Sequence, residues 1–142
     1  MSAVPLFFDQ FPMRRVTAAE LDAALAEADA PPLTILFLWG RDCPNCDIAK
    51  QAMLSAPQRF TWPEVRWLQD NVYDDLDMAH RFALHGIPVF FVFRGSRLMG
   101  RITSWPGLGE FTQAIGRQIA ALGAHPPASH DGHRPHLTLV KG

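Results

Sequence analysis

Short apolar runs alternate with longer amphipathic stretches along the chain, and turn-forming residues separate them. The clearest run is Leu33-Thr34-Ile35-Leu36-Phe37-Leu38-Trp39. Near-continuous apolar character over that length predicts a central strand over 33–39, buried on both faces. Pro88-Val89-Phe90-Phe91-Val92-Phe93 predicts a second strand over 88–93. Residues 65–69 alternate apolar with polar, as a third strand should, and lead into Asn71-Val72-Tyr73. A strand over 98–103 follows the turn Arg94-Gly95-Ser96-Arg97, which makes a hairpin with 88–93. A short strand is expected over 13–16, and the apolar residues 4–8 are expected to form either an extra strand or a packed arm.

Helical spacing fills the gaps. Thr17, with Glu20 three residues on, has the spacing of a capping box. Leu21, Leu25 and Ala28 carry that helix to residue 29, where Pro31-Pro32 stop it. Ile48, Ala49, Ala52 and Met53 mark a helix over 43–54 that Pro57 ends. Asp74 and Asp75 are placed to cap a helix carrying Leu76, Ala79, Phe82 and Ala83, closed by His85-Gly86. Phe111, Ile115 and Ile119 define a last helix over 107–122. The order β-α-β-α-β-α-β-β-α implies an α/β fold, a mixed sheet with right-handed crossovers, a hairpin at one edge and helices on both faces. The chain divides into an arm over 1–12, one domain over 13–122 and a tail over 123–142, expected to be mobile from its Pro, His, Ser and Gly.

Composition narrows the partners more than the fold. At 142 residues, 48% apolar and 19% charged, the chain is long and apolar enough for one real core. A net charge of −1 gives no electrostatic reason to expect nucleic acid or a membrane surface as a partner. No apolar run approaches the roughly 18 residues of a membrane span. Residues 4–8 lack a basic flank and Asp9 interrupts them, so no signal peptide is expected and the expected location is cytoplasmic. Asp74, Asp75 and Asp77 read as capping and solvated charge. His125, His130, His133 and His136 lie in the tail, where ordering around a metal carries an entropic cost. Neither a metal nor a cofactor is expected.

Chemistry concentrates in the only two cysteines, Cys43-Pro44-Asn45-Cys46. They follow the 33–39 strand after Gly40-Arg41-Asp42 and open the next helix. Helix amides and the helix dipole favour a thiolate there, and Pro44 suits the first helical position. Two cysteines are too few for a disulfide scaffold, and a four-thiolate zinc site lacks its second pair. Redox catalysis leads, with metal ligation and a structural crosslink as alternatives.

Two local signatures, taken with the element order, resemble the thioredoxin family over residues 13–121. One is Trp39-Gly40-Arg41-Asp42-Cys43-Pro44-Asn45-Cys46; the other is Gly86-Ile87-Pro88 ahead of an apolar strand. The resemblance implies a thioredoxin fold, with Cys43 as exposed nucleophile and Cys46 as buried resolving thiol. It implies a cis Pro88 against the dithiol, an edge at Gly86, Ile87 and Pro88 where an extended substrate pairs, and Trp39 packed beneath. It also implies a monomer that reduces disulfide-containing proteins and is itself reduced by a thioredoxin reductase or another dithiol protein. An oxidase or isomerase in an oxidising compartment is one alternative, and a binding module with incidental redox activity is another.

The sequence departs from the family at several positions. Asp42 replaces the tryptophan usual before the first cysteine, and Pro44-Asn45 replaces Gly-Pro; a proline there is similar to glutaredoxin. Phe37 stands where the family has a buried acid and Gln69 where it has that acid's lysine partner, so proton transfer at Cys46 must use water or another group. Asp42 beside a thiolate would raise its pKa, an effect Arg41 and His85 are expected to offset. Trp105 is expected to face either the substrate or the core, and Trp62 and Trp67 to be core residues.

Overall fold

The computed structural model describes residues 6–123. Its sheet is built around the most apolar strand. The five strands are β1 (Arg14–Arg15), β2 (Leu33–Trp39), β3 (Val65–Asn71), β4 (Val89–Arg94) and β5 (Arg97–Thr103). They lie in the order β1-β3-β2-β4-β5. The β1, β3 and β2 ladder is parallel, whereas β4 runs antiparallel to β2 and β5 antiparallel to β4. Neighbours on both edges and helices on both faces explain why β2 is buried from Leu33 to Leu38. In this register Phe37 lies opposite Gln69 on one side and Phe90 on the other.

The helices are α1 (Phe7–Gln10), α2 (Ala18–Leu25), α3 (Pro44–Ser55), α4 (Leu76–Arg81) and α5 (Leu108–Gly123). One core joins α1, α3 and α5 to the sheet through Phe7, Phe37, Met53, Trp67, Phe90 and Phe111. The other joins α2 and α4 through Leu21, Leu25, Leu36, Leu68, Met78 and Phe91. Trp67 is buried and its Nε1–H donates to Phe60 O at 2.8 Å; Trp62 is partly buried against the same core.

Of the two expectations for the N-terminal stretch, the described residues follow the packed arm: Phe7 opens a single helical turn and is buried in the core with Phe11. Phe7 and Phe11 are four residues apart, which puts both rings on one side, stacked at 5.7 Å. That helical period excludes the strand alternative from Phe7 onward. The capping box at Thr17 is present, its N–H donating to Glu20 Oε1 at 2.9 Å. However, α2 ends at Leu25 rather than at residue 29, so Ala28 adds nothing to its buried face. The tail, with its four histidines, lies outside the described residues.

A carboxyl pair ties α2, β3 and the start of α4 together. Asp70 is fully buried on β3; its Oδ1 accepts from Arg15 Nε–H at 3.1 Å, and no donor reaches Oδ2. Burial, together with the Asp75 carboxyl, pushes its pKa up to about 7. A protonated Asp70 then donates to Asp75, which lowers the pKa of Asp75. Asp75 occupies the N-cap position of α4, yet its Oδ2 accepts from the Ala18 N–H of α2 at 2.8 Å. The stabilisation from a proton-bound Asp70 is complete below about pH 3.8, where the unfolded chain also binds that proton. It is lost as pH rises through about 7. Asp70→Asn keeps a donor for Asp75 without titrating. We expect it to match wild type at pH 4 and to exceed it at pH 8 by on the order of 1 kcal/mol in urea denaturation.

Candidate active site

The turn between β2 and α3 builds the site. Gly40 is required by close approach, because a Cβ there would lie 2.6 Å from Tyr73 Cε2 and 2.7 Å from Ile87 Cδ1. We expect Gly40→Ala to force Ile87 and Tyr73 apart, costing about 1–3 kcal/mol by overpacking. A thermal melt measures that loss. Asp42 follows in the left-handed region at φ 54°, which Asp tolerates better than most residues. This turn redirects the chain from strand to helix and sets Cys43 at the N-cap of α3, with Pro44 in the first turn.

Cys43 and Cys46 form a disulfide, with their Cα atoms 5.2 Å apart. Cys43 Sγ accepts from the Cys46 N–H at 3.1 Å, the role a Ser or Asp oxygen plays in an ordinary N-cap. Cys43 retains 8% exposure and Cys46 none, so an incoming sulfur can reach Cys43 alone. Pro44 and Asn45 are exposed beside it.

The second signature faces this pair. Cys43 Sγ lies 3.8 Å from Ile87 O, and the Ile87–Pro88 peptide is cis. His85 and Gly86 are exposed, and nothing comes within 4 Å of a Cβ built on Gly86. An open cavity of about 290 Å³ is lined by His85, Gly86, Ile87 and Pro88 together with Arg101 and Ser104. The Ser104 N–H donates to Pro88 O at 2.8 Å, fastening the loop after β5 to the proline.

The remaining candidates divide between site and core. Trp105 is partly buried against Phe60, Phe90 and Phe111, with ring centroids 6.1, 6.1 and 5.3 Å away. Its ring is therefore engaged with the core, and its neighbour Ser104 lines the cavity. The charge of Arg41 acts favourably on Asp42. Its side chain also engages Asp74 and Tyr73: Nη1–H donates to Asp74 at 3.0 Å and the guanidinium covers Tyr73 at 5.5 Å. Phe37 is buried and stacks on Phe90 at 4.9 Å, so no acid stands at that position. Gln69 is buried, and its Oε1 accepts from Trp39 Nε1–H at 2.7 Å. Among the described residues, no group of three or more His, Cys, Asp or Glu side chains gathers where a metal ion could be held.

Lys50 is a buried charged residue near the site that the sequence pattern did not single out. It is only 2% exposed, and its Nζ sits 3.8 Å from the Trp39 ring centroid, with Phe8 at 5.4 Å and Phe7 at 6.0 Å. Burial lowers its pKa, opposed by the charge of Asp47. A signal was available: Cys46, Ala49, Lys50 and Met53 share the buried stripe of α3, and a lysine breaks an otherwise apolar i, i+3, i+4, i+7 pattern. Arg101 and Ser104 were missed as well, because their place in the cavity depends on the register of β5 against β4.

No known protein family matches the sequence, and no curated protein matches it either. Solved structures do. Chlamydomonas reinhardtii thioredoxin f2 superposes with a TM-score of 0.63 at 13% identity, over 75% of this chain and 95% of that one. Oxidised mitochondrial thioredoxin 3 from Saccharomyces cerevisiae gives 0.60 at 16% identity, over 77% and 94%. A structure from work on thiol resolution in yeast mitochondrial 1-Cys peroxiredoxin, via the glutathione and thioredoxin systems, gives 0.61 at 15%, over 79% and 97%. The mixed five-stranded sheet with helices on both faces is therefore a thioredoxin fold.

Proposed function

We propose that this protein is a thiol–disulfide oxidoreductase that reduces protein disulfides through a Cys43/Cys46 cycle. One observation carries the reading. A bonded cysteine pair opens α3, with the more accessible Cys43 placing its sulfur 3.8 Å from the oxygen of Ile87, a residue that lines an open cavity. In the reduced protein the Cys43 thiolate attacks one substrate sulfur. The substrate disulfide breaks, a Cys43–substrate disulfide forms, and the departing sulfur leaves as a thiolate that takes a proton from water. The Cys46 thiolate then attacks Cys43 Sγ, releasing the second substrate thiolate and forming the Cys43–Cys46 bond. Two electrons pass from the dithiol to the substrate, and a thioredoxin reductase or another dithiol protein returns them.

The cavity beside Gly86, Ile87 and Pro88 supplies the docking edge in this reading. An extended substrate segment lies along it, pairing backbone to backbone and placing its disulfide over Cys43. The protein works as a cytoplasmic monomer without a bound cofactor, on a narrow set of partners rather than on disulfides at large. Among the described residues no helix is long and apolar enough to cross a membrane.

Equilibration with glutathione buffers tests the direction. A reductase should titrate as a single two-electron couple near the roughly −270 mV of thioredoxin. A midpoint near −120 mV, the range of a strong oxidant, would reverse the assignment.

A further inference from the structure

An ammonium group taken out of water is costly unless charge or hydrogen bonding compensates it. Lys50 on α3 is 2% exposed, and no described carboxylate forms an ion pair with it. The elements packed against it, α1 and β2, present the rings of Phe7, Phe8 and Trp39. Aromatic faces attract a cation, but they carry no net charge. The charged group acting on it is Asp47 of its own helix. In the oxidised protein both sulfurs are bonded and neutral, so the dithiol offers the buried cation no anion.

Lys50 follows Cys46 by four residues on one buried stripe of α3, which makes the two side chains neighbours one turn apart. Cys46 is wholly buried, and burial alone opposes its ionisation. No acid stands at Phe37, and Gln69 is engaged by Trp39. Taking the redox cycle proposed above as given, we propose that Lys50 is a positioning residue acting through Cys46, its buried ammonium stabilising the thiolate that performs the resolving attack. The Cys46 thiol releases its proton to water. The thiolate forms the bond to Cys43 Sγ, the Cys43–substrate bond breaks, and the substrate sulfur leaves as a thiolate. Lys50 keeps its proton throughout. Trp39 holds the cation by its ring and is itself held by Gln69.

The reaction of the reduced protein with 5,5′-dithiobis(2-nitrobenzoate) separates the two sulfurs. Attack by Cys43 releases one thionitrobenzoate in a second-order phase, and attack by Cys46 releases the next in a first-order phase. Lys50→Met should slow the first-order phase about tenfold at pH 7 and move its pH midpoint up by about one unit. The second-order phase should stay unchanged, and Lys50→Arg should keep the wild-type midpoint. An unmoved midpoint in Lys50→Met overturns the proposal, as does an equal shift in Met and Arg variants, which would assign the effect to packing. If Lys50→Met fails to fold, thiolate absorbance of Cys43→Ser at 240 nm decides. Cys46 should titrate below the ordinary value of about 8.5, and a value above it overturns the inference. A wild type without the two phases would instead overturn the redox cycle itself.

Discussion

Cys46→Ser should change the protein from a turnover catalyst into a trap. Its disulfide reduction falls to the uncatalysed background, while Cys43 still attacks and stops at the mixed disulfide. The reason is positional. Cys43, at the N-cap, is the more accessible of the two at 8% exposure, and Cys46 is the fully buried one whose N–H points at it. Serine keeps that backbone donor and the helix start but cannot form the second bond. One equivalent of covalent adduct should appear on non-reducing gels and disappear with dithiothreitol, and mass spectrometry of the adduct identifies the substrate. Cys43→Ser should give no adduct under the same conditions. Equal adducts from both variants would contradict the division of roles.

Phe90→Ala should produce the largest loss of stability, about 3–5 kcal/mol from lost burial plus the cavity left behind. Phe90 is fully buried in β4, stacked on Phe37 at 4.9 Å and edge-on to Phe111 at 4.9 Å. Trp67 and Trp105 complete its surroundings at 6.4 and 6.1 Å. Aromatic neighbours on three elements cannot all move inward, so the void persists. Against a usual total of about 5–15 kcal/mol, the change removes a large fraction of the stability. The urea midpoint should fall with an unaltered slope. Because Phe90 follows Pro88 by two residues, the docking edge should loosen as well. A loss below about 1 kcal/mol would show that the site collapses easily and that this cluster is not the keystone of the first core.

The sheet was legible because period and burial agree. Leu33 to Trp39 is apolar but for Thr34 and Val89 to Phe93 is apolar throughout, and each is paired on both edges and covered on both faces. The capping box and the start of α3 were legible because Thr17, Glu20, Cys43 and Pro44 act through local backbone chemistry. The α1 turn was not, since a run as short as 4–8 cannot show whether its period is 2 or 3.6. Arg41 could not be assigned from the sequence because its partner, Asp74, is a neighbour only once β3 pairs with β2. Trp105 faced the same difficulty: loop residues acquire a side only when the hairpin register fixes where the loop leaves the sheet. Lys50 is instructive in the opposite way. Its burial followed from the stripe it shares with Cys46, but a lysine on a helix is ordinarily read as solvated.

The most direct test of the central claim compares wild type with Cys43→Ser in the dithiothreitol-driven reduction of insulin, followed by light scattering. The Cys43/Cys46 cycle predicts that wild type shortens the lag before insulin precipitates and that Cys43→Ser matches buffer alone. Wild type and Cys43→Ser behaving identically would contradict it.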